Sequence, residues 1–538
     1  MKRIKDPAYG YVEIPDNIVY SIIDTAEFQR LRDVIQTSYN AVYPSALHNR
    51  FVHSIGVYYL GCIAATGIIE GIDADEKEKD KLKEYKKVFE VACLLHDVGH
   101  APFSHTGEMH FIRGSDRSIL HKKITELCGD DMLAADIKNK GYKAAPHELM
   151  SVIIGLRQFG SYIEDKSFFA RCITGYKYVN PDKCEKYKNC FIELLNSTVL
   201  DVDKVDYLIR DAFMSGYESV LIDYRRLLSN ICIEYEENEV RLIFPKSALS
   251  VVENVVYAHD LEKKWIQSHP AVLYDAYLID KAYEKIIEEH FNDKGYIPEE
   301  VLSVEGVEIG SFGKISLASD ADIIFLLKQS DLRNDDEEYF HRTNRKHPLW
   351  KTEAEFHAIF NDQTSIVREL NKVIHDIAKS QEQRYTEVNE EVLKMLEDER
   401  EKFNDENEIK GESADDRRIL SLETKNQQIE LVCIFKDFSE KQGIPFDYVI
   451  IYANQFNSSF REVEFSKMRF SLPTVEGTKE FGEVSTVNTP KESDDSEFFY
   501  IFCPKKNNGE KVEVSELIED LMNFAGKMNA RTVRKKVK

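Results

Sequence analysis

Leu94–His105 reads LLHDVGHAPFSH. The run before it, Val88-Phe89-Glu90-Val91-Ala92-Cys93, continues into Leu94 and Leu95 with the spacing of a buried helix. That helix delivers His96 and Asp97 side by side. Gly99 and Pro102 then end it, glycine through its backbone freedom and proline through its missing N–H. His100 lies about one turn beyond His96, and His105 follows the break. An imidazole beside a carboxylate at a buried helix end is costly unless something binds it. A divalent metal takes neutral imidazole nitrogen and carboxylate oxygen together. A solitary His-Asp dipeptide is more often a satisfied polar pair in a core. This one has company.

Upstream, ALHNRFVHSIGVYYLGCIAATGII reads as a long apolar helix with polar residues on one side. Asn49, Arg50 and His53 share a face at helical spacing, and Gly56 permits a close neighbour. Downstream, Glu108 precedes a polar connection to about residue 145 that carries Arg113, Arg117, Lys122 and Lys123. A loop this long in a compact domain is usually functional or mobile. It ends at Pro146-His147-Glu148, where proline suits a first helical turn and Glu148 complements the helix dipole. In TVLDVDKVDYLIRDAF (198–213), Asp203, Tyr207 and Asp211 stack on one helical face with Lys204 beside them and Arg210 nearby. Val205, Leu208 and Ile209 take the core side. A solvated charged face would explain the acids, but the apolar remainder of the helix favours a site.

The chain has 538 residues, 43% of them apolar, with 27 Tyr, 30 Phe, few Gly and few Pro. That suits two to four helical, globular domains. The formal charge is −24, so an anionic substrate must be held by local cations or metal, and long nucleic acid is disfavoured. Nine Cys without a CxxC pair suggest reduced thiols in a cytosol. With no signal peptide, lipidation signal or 18-residue apolar run, the expected location is cytoplasmic, with no membrane partner.

Coarsely, a turn-rich opening leads to an amphipathic helix at IVYSIIDTAEFQRLRDVIQ, and 73–90 is a charged, solvated lead into the central helix. ICIEYEENEVRLIF (231–244) reads as a hairpin, and helices resume through Val252–His290. An acidic, exposed helix or connector is expected at 381–410, where Tyr385, Val388, Val392 and Leu396 recur at helical spacing. Strands follow at ELVCIFK, FDYVIIYA and FFYIFC, with a polar loop at 488–497 and a disordered basic tail, RTVRKKVK.

HNRFVHS, LLHDVGHAPFSH, PHE and DVDKVDYLIRD in this order resemble the HD-domain phosphohydrolases. Within them the resemblance is to the deoxynucleoside triphosphate (dNTP) triphosphohydrolases, the dGTPase-like branch that includes the SAM-and-HD-domain enzyme of animal cells. DPxxGxxE (Asp6 to Glu13) and IIDTxxFQRLR (Ile22 to Arg32) match as well. The likeness covers about residues 1–290 well and the rest loosely. It implies a mainly α fold: an HD-domain helical core over 1–335 with a small β-hairpin, a charged helical connector over 336–414, and a C-terminal α+β lobe over 415–538.

By the same resemblance His53, His96, Asp97 and Asp203 would hold one divalent metal (Mn, Mg, Fe, Zn or Ni). His105, Glu108, His147 and Glu148 would form the catalytic cluster, with His147 the proton donor. Gln36, Arg50, His100, Lys204, Tyr207 and Asp211 would meet substrate, and Lys2, Asp24, Gln29 and Arg32 a regulatory nucleotide such as GTP or dGTP. Val52, Pro245 and Ser247 depart from the family pattern. The implied reaction splits a dNTP into deoxynucleoside and triphosphate in a homo-oligomer. An HD-type nuclease or nucleotide phosphatase, kept open by the basic 113–123 segment, and a non-catalytic nucleotide sensor are the alternatives.

Overall fold

The structure is a computed structural model that describes residues 1–113, 116–198, 200–217, 221–236, 239–310, 313–329, 337–342, 345–360, 364–381, 385–410, 416–453, 467–472, 478–485, 498–506 and 512–537. The chain is mainly helical, with several small sheets. It divides into two compact units. The first holds Met1–Ile266, Ile279–Leu332 and Asn457–Pro490, and the second Gln267–Leu278, Arg333–Phe456 and Lys491–Lys538.

In the first unit the opening is an antiparallel hairpin, β1 (Lys2–Asp6) and β2 (Gly10–Ile14), with Lys2 opposite Ile14. The single amphipathic helix expected next is instead a series of short turns. Thr25 is extended (φ −85°, ψ 157°), and its hydroxyl donates to the Ile22 carbonyl at 2.6 Å, diverting the backbone from a continuous helix.

Helix α1 (Arg50–Gly71) starts at Asn49, whose side chain accepts from the Val52 N–H at 3.2 Å. Helix α2 (Glu76–Leu95) absorbs the charged 73–90 stretch as its own first turns, capped by Asp75. The long polar connection is not a loop. It holds α3 (Ser118–Cys128) and α4 (Asp131–Lys140), separated by Gly129 at φ +63° and capped by Asp130. Leu120, Ile124, Leu133 and Ile137 bury the inner sides of these helices, a pattern hidden by the surrounding charges. Arg117 donates to the Ala144 carbonyl, and Lys123 pairs with Glu299, so two of the four cations of the basic segment are committed internally.

Helices α5 (Pro146–Phe159), α6 (Lys166–Thr174), α7 (Lys183–Leu195) and α8 (Val202–Ser215) complete the helical core. Close approach is written into two glycines. A Cβ at Gly56 would lie 1.9 Å from Asp206 of α8, and one at Gly99 would lie 2.2 Å from the Ser151 nitrogen of α5. Strands β3 (Cys232–Glu236) and β4 (Glu239–Pro245) form the expected hairpin. Strand Arg469–Ser471 joins β4 in parallel and pairs antiparallel with Thr478–Glu480. The later helices appear as α9 (Leu249–Glu262) and Pro270–His290. One helix does reach membrane-spanning hydropathy: α1, with an 18-residue window of mean hydropathy 1.5 that is 67% buried within the fold.

The second unit is an antiparallel sheet in the order His347–Pro348, Phe498–Cys503, Asp447–Ala453, Thr386–Asn389. The expected exposed connector belongs to this unit's core: Tyr385, Val388, Val392 and Leu396 are all buried there. ELVCIFK is not a strand but part of helix Asp416–Gln442. Leu431, Val432, Phe435 and Phe438 bury one stripe of it, a helical period masked by β-branched and aromatic composition. The basic tail continues helix Ser515–Val537. The polar loop at 488–497 lies outside the described residues.

Candidate functional site

Three helices of the first unit converge on one point. From α1 comes His53, from the end of α2 come His96 and Asp97, and from the first turn of α8 comes Asp203. His53 Nε2 lies 2.9 Å from Asp203 Oδ1 and 3.3 Å from His96 Nε2, and His96 Nε2 lies 3.7 Å from the same Asp203 oxygen. The other ring nitrogens are committed elsewhere. His53 Nδ1 is 2.7 Å from Asp206 Oδ2, and His96 Nδ1 is 2.8 Å from the Cys93 carbonyl. Those partners only accept, which assigns the proton to Nδ1 on each ring and leaves both Nε2 lone pairs facing the Asp203 oxygen. With neutral rings three acceptors meet at one point, a set satisfied by a metal ion or by a proton on His53 Nε2. Two neutral imidazoles and a carboxylate fit a divalent ion of borderline softness, with outer-shell partners fixing ring orientation.

Burial alone would lower the His53 pKa, but in the protein without an ion Asp203 and Asp206 outweigh it and push it up to about 10, so the ring then holds an Nε2 proton that a bound cation would displace. Burial likewise opposes ionisation of Asp203, but His53 and His96 hold it well below the usual carboxylate range. Asp97 borders the cluster, with Oδ1 3.4 Å from His96 Nε2 and Oδ2 3.5 Å from His53 Nε2. It also meets Arg50 Nη1 at 2.7 Å.

A second cluster adjoins the first through His100, whose Nε2 is 3.4 Å from Asp97 Oδ1. His100 and His147 stack with ring centroids 4.3 Å apart and planes 8° apart, and His105 meets both edge-on. Lone pairs in two parallel, stacked rings run side by side and do not converge on one ion. His147 Nδ1 lies 2.6 Å from Glu108 Oε2, and this pair outweighs burial to push the His147 pKa up to about 9. His147 is therefore an imidazolium at neutral pH. His100 is fully buried and neutral, its pKa driven well down by burial and then by Arg50.

Glu148, expected in this cluster, is turned away from it. Its Oε2 accepts from the Ala145 N–H and its Oε1 from Asn196 Nδ2, both at 2.7 Å. Arg50 is 5% exposed and donates to Asp97, Ser104 and the Gln36 carbonyl, so its fork orients the site's own residues. Lys204 Nζ reaches Asp201 Oδ2 at 2.6 Å and the Ser197 carbonyl at 2.5 Å. Asp211 Oδ1 pairs with His48 Nε2 at 2.7 Å. Tyr207 is half-buried on the same helix, and the buried Gln36 keeps Oε1 without a partner among the described residues. Away from this centre, Lys2 pairs with Asp24 at 3.1 Å, Gln29 caps the Ile23 carbonyl, and Arg32 donates to Gln29 Oε1.

Several positioning residues escaped the sequence reading. Asp206 and Arg210 are buried, with Arg210 Nε 2.9 Å from Asp206 Oδ2 and Nη1 2.9 Å from Asp6 Oδ2. The i,i+4 Asp-Arg spacing on a core helix was the available signal. Phe103 and Ser104 adopt φ +57° and +53°, a left-handed turn that aims His105. Asp320 steadies it by accepting from the Phe103 and Ile35 N–H groups at 2.7 and 3.0 Å. Arg30 clamps the carbonyls of Val98 and His100. Nothing local in the sequence points to Asp320, which is distant in the chain.

No protein-family model matches the chain. Relatives do. The Deoxynucleoside triphosphate triphosphohydrolase SAMHD1 homolog of Dictyostelium discoideum is 32% identical over 273 residues, covering 49% of this chain and 47% of that protein. The Homo sapiens SAMHD1 enzyme is 32% identical over 256 residues, 45% of this chain and 38% of its own. Over about half its length the chain is similar to SAMHD1-like HD-domain proteins. The uncharacterized protein MJ1154 of Methanocaldococcus jannaschii is 27% identical, covering 62% of this chain and 58% of its own. The chain spans about half the length of the curated relatives it matches. A crystal structure of a hypothetical protein from Aquifex aeolicus has the same fold (TM-score 0.52, 19% identity), covering 97% of this chain and 99% of that one.

Proposed function

We propose that this chain is a SAMHD1-like, metal-dependent dNTP triphosphohydrolase of the HD-domain class. The observation that carries the reading is a triad that fits a divalent ion with an imidazolium beside it: His53, His96 and Asp203 next to the His147–Glu108 pair. A divalent ion held by His53, His96 and Asp203, with Asp97 alongside, would polarise a phosphate oxygen and acidify a water. The chain's own groups supply the rest. Water adds at the α-phosphorus, the bond from phosphorus to the 5′-oxygen breaks, and His147 protonates that leaving oxygen. Glu108 keeps His147 charged and oriented for this transfer. His105 edges the same cluster, while Glu148, held by Ala145 and Asn196, anchors the helix start that presents His147.

Lys204 lies one residue from Asp203 and offsets charge on the phosphates. Arg50 acts behind Asp97. Tyr207, Asp211 and Gln36 form the wall for the sugar, and His48 orients Asp211. The commitment of Arg117 and Lys123 to internal partners weakens the nuclease alternative, which rested on a free basic loop. The Lys2, Asp24, Gln29 and Arg32 group is the place for an activating GTP or dGTP in a homo-oligomer. Incubation with each dNTP and Mn²⁺ or Mg²⁺, with chromatography of the products, tests the reading. Deoxynucleoside plus intact triphosphate is expected. Stepwise release of phosphate, or cleavage of oligonucleotides without dNTP turnover, would sink it.

A further inference from the structure

A sizeable cavity of the first unit lies apart from the metal centre. It measures about 680 Å³ and lies among the ends of α4 and α7, strand β4 and strand Arg469–Ser471, and none of the metal-facing residues lines it. That volume is the size of a small-ligand site. Its charge is the reverse of the chain's. In a protein of net charge −24, five cations line it: Lys140, Lys177, Arg241, Lys467 and Arg469. Against them stand two carboxylates, Glu193 and Glu480.

Only part of that positive charge is neutralised internally. Lys177 Nζ pairs with Glu193 Oε2 at 2.6 Å, and Arg469 Nη1 donates to the Thr478 hydroxyl at 3.3 Å. Lys140, Arg241 and Lys467 have no ion-pair partner among the described residues. The crowding is felt: burial and then Lys177 push the Lys140 pKa down. Like charges gathered around one concavity destabilise the fold unless a counter-charge enters.

We propose that this cavity binds an oligophosphate chain, inorganic triphosphate or the triphosphate of a nucleotide. A single phosphate offers too little charge for cations spread over four separate segments. A long nucleic acid would meet the acidic remainder of the surface. Leu242, Phe244 and Met468 add an apolar wall on which a nucleoside attached to the chain would rest. Asn196 and Ser197 line the same cavity, and Asn196 also donates to Glu148 while the Ser197 carbonyl accepts from Lys204, so the bound anion lies one residue layer from the proposed active site.

The test is calorimetric titration of the full-length protein with inorganic triphosphate in a metal chelator, using the Asp203→Ala variant so that the metal centre contributes nothing. Saturable binding is expected, weakened at least about tenfold in Arg241→Ala/Lys467→Ala, where two charged hydrogen-bonding groups are lost. Lys122→Ala, the removal of an exposed lysine outside the cavity, is expected to leave it unchanged. A nucleoside triphosphate that competes equally marks the chain alone as the ligand; one that competes more tightly marks the apolar wall as a base site. The proposal falls if the double variant binds as the parent does, if Lys122→Ala weakens binding as much, or if an oligothymidine binds better than triphosphate. Turnover of dNTP by the double variant in the otherwise native protein is read separately, so failure here leaves the proposed reaction standing.

Discussion

His53, His96 and Asp203 turn their acceptors toward one point, whereas His100 and His147, a few ångströms away, lie face to face with their ring planes 8° apart. Both clusters draw on the same histidine-rich stretch, and both pass a simple test of donor proximity. His53 and His147 each carry a carboxylate on Nδ1, so what separates the clusters is the way the rings face. Asp206 and the Cys93 carbonyl accept from the outer nitrogens of His53 and His96 and leave the inner ones to face an ion. Glu108 supports a proton on His147. Donor count alone cannot distinguish a metal site from an acid–base site. Ring orientation can.

The division is breakable. The largest effect is expected from Asp203→Ala or His96→Ala, which should remove stoichiometric metal and turnover together, as read by metal analysis of the purified variants. Normal metal content in either would assign the ion elsewhere. His147→Ala should keep its metal and its fold while losing about two to four orders of magnitude in turnover, the usual worth of a general acid. Loss of metal in this variant would merge the two clusters into one. Asp206→Asn, which no longer fixes the His53 tautomer by charge, should weaken metal affinity by about 10- to 100-fold. A metal titration unchanged from the parent would show that the outer shell is not what orients His53.

The smallest expected effect is in pH dependence. His147 has its folded pKa raised to about 9, above the ordinary value near 6.5. Its contribution to stability is therefore fully present below about 6.5 and lost as pH rises through about 9. As a proton donor it should likewise sustain turnover until the same alkaline limit. Glu108→Gln should move that limit toward neutrality, as measured by kcat against pH. An alkaline limb that does not move would remove Glu108 as the source of the shift.

Much of the centre was legible because helical spacing is local. Asn49, Arg50 and His53, the His96-Asp97 pair, and Asp203 with Tyr207 and Asp211 all announce themselves within a turn or two of chain. The misreadings have local causes too. Leu431, Val432 and Phe435 are strand-like in composition yet helical in period, and the buried stripe of α3 and α4 is hidden among lysines and acids. Tyr385 and Val388 looked exposed because acids flank them, but a sheet in the second unit covers them.

The sequence by itself determined the helices that carry the donors and the chemical types those donors offer, since both depend on residues a few positions apart. Only the tertiary structure decided which nitrogen of each histidine faces inward, that Arg50 and Glu148 are held by other side chains, and that Asp206, Arg210, His48 and Asp320 stand behind the site. Those assignments depend on which distant groups meet in a buried space, where each N–H and each lone pair must find a partner. That pairing is a property of the packed chain, and no window of sequence contains it.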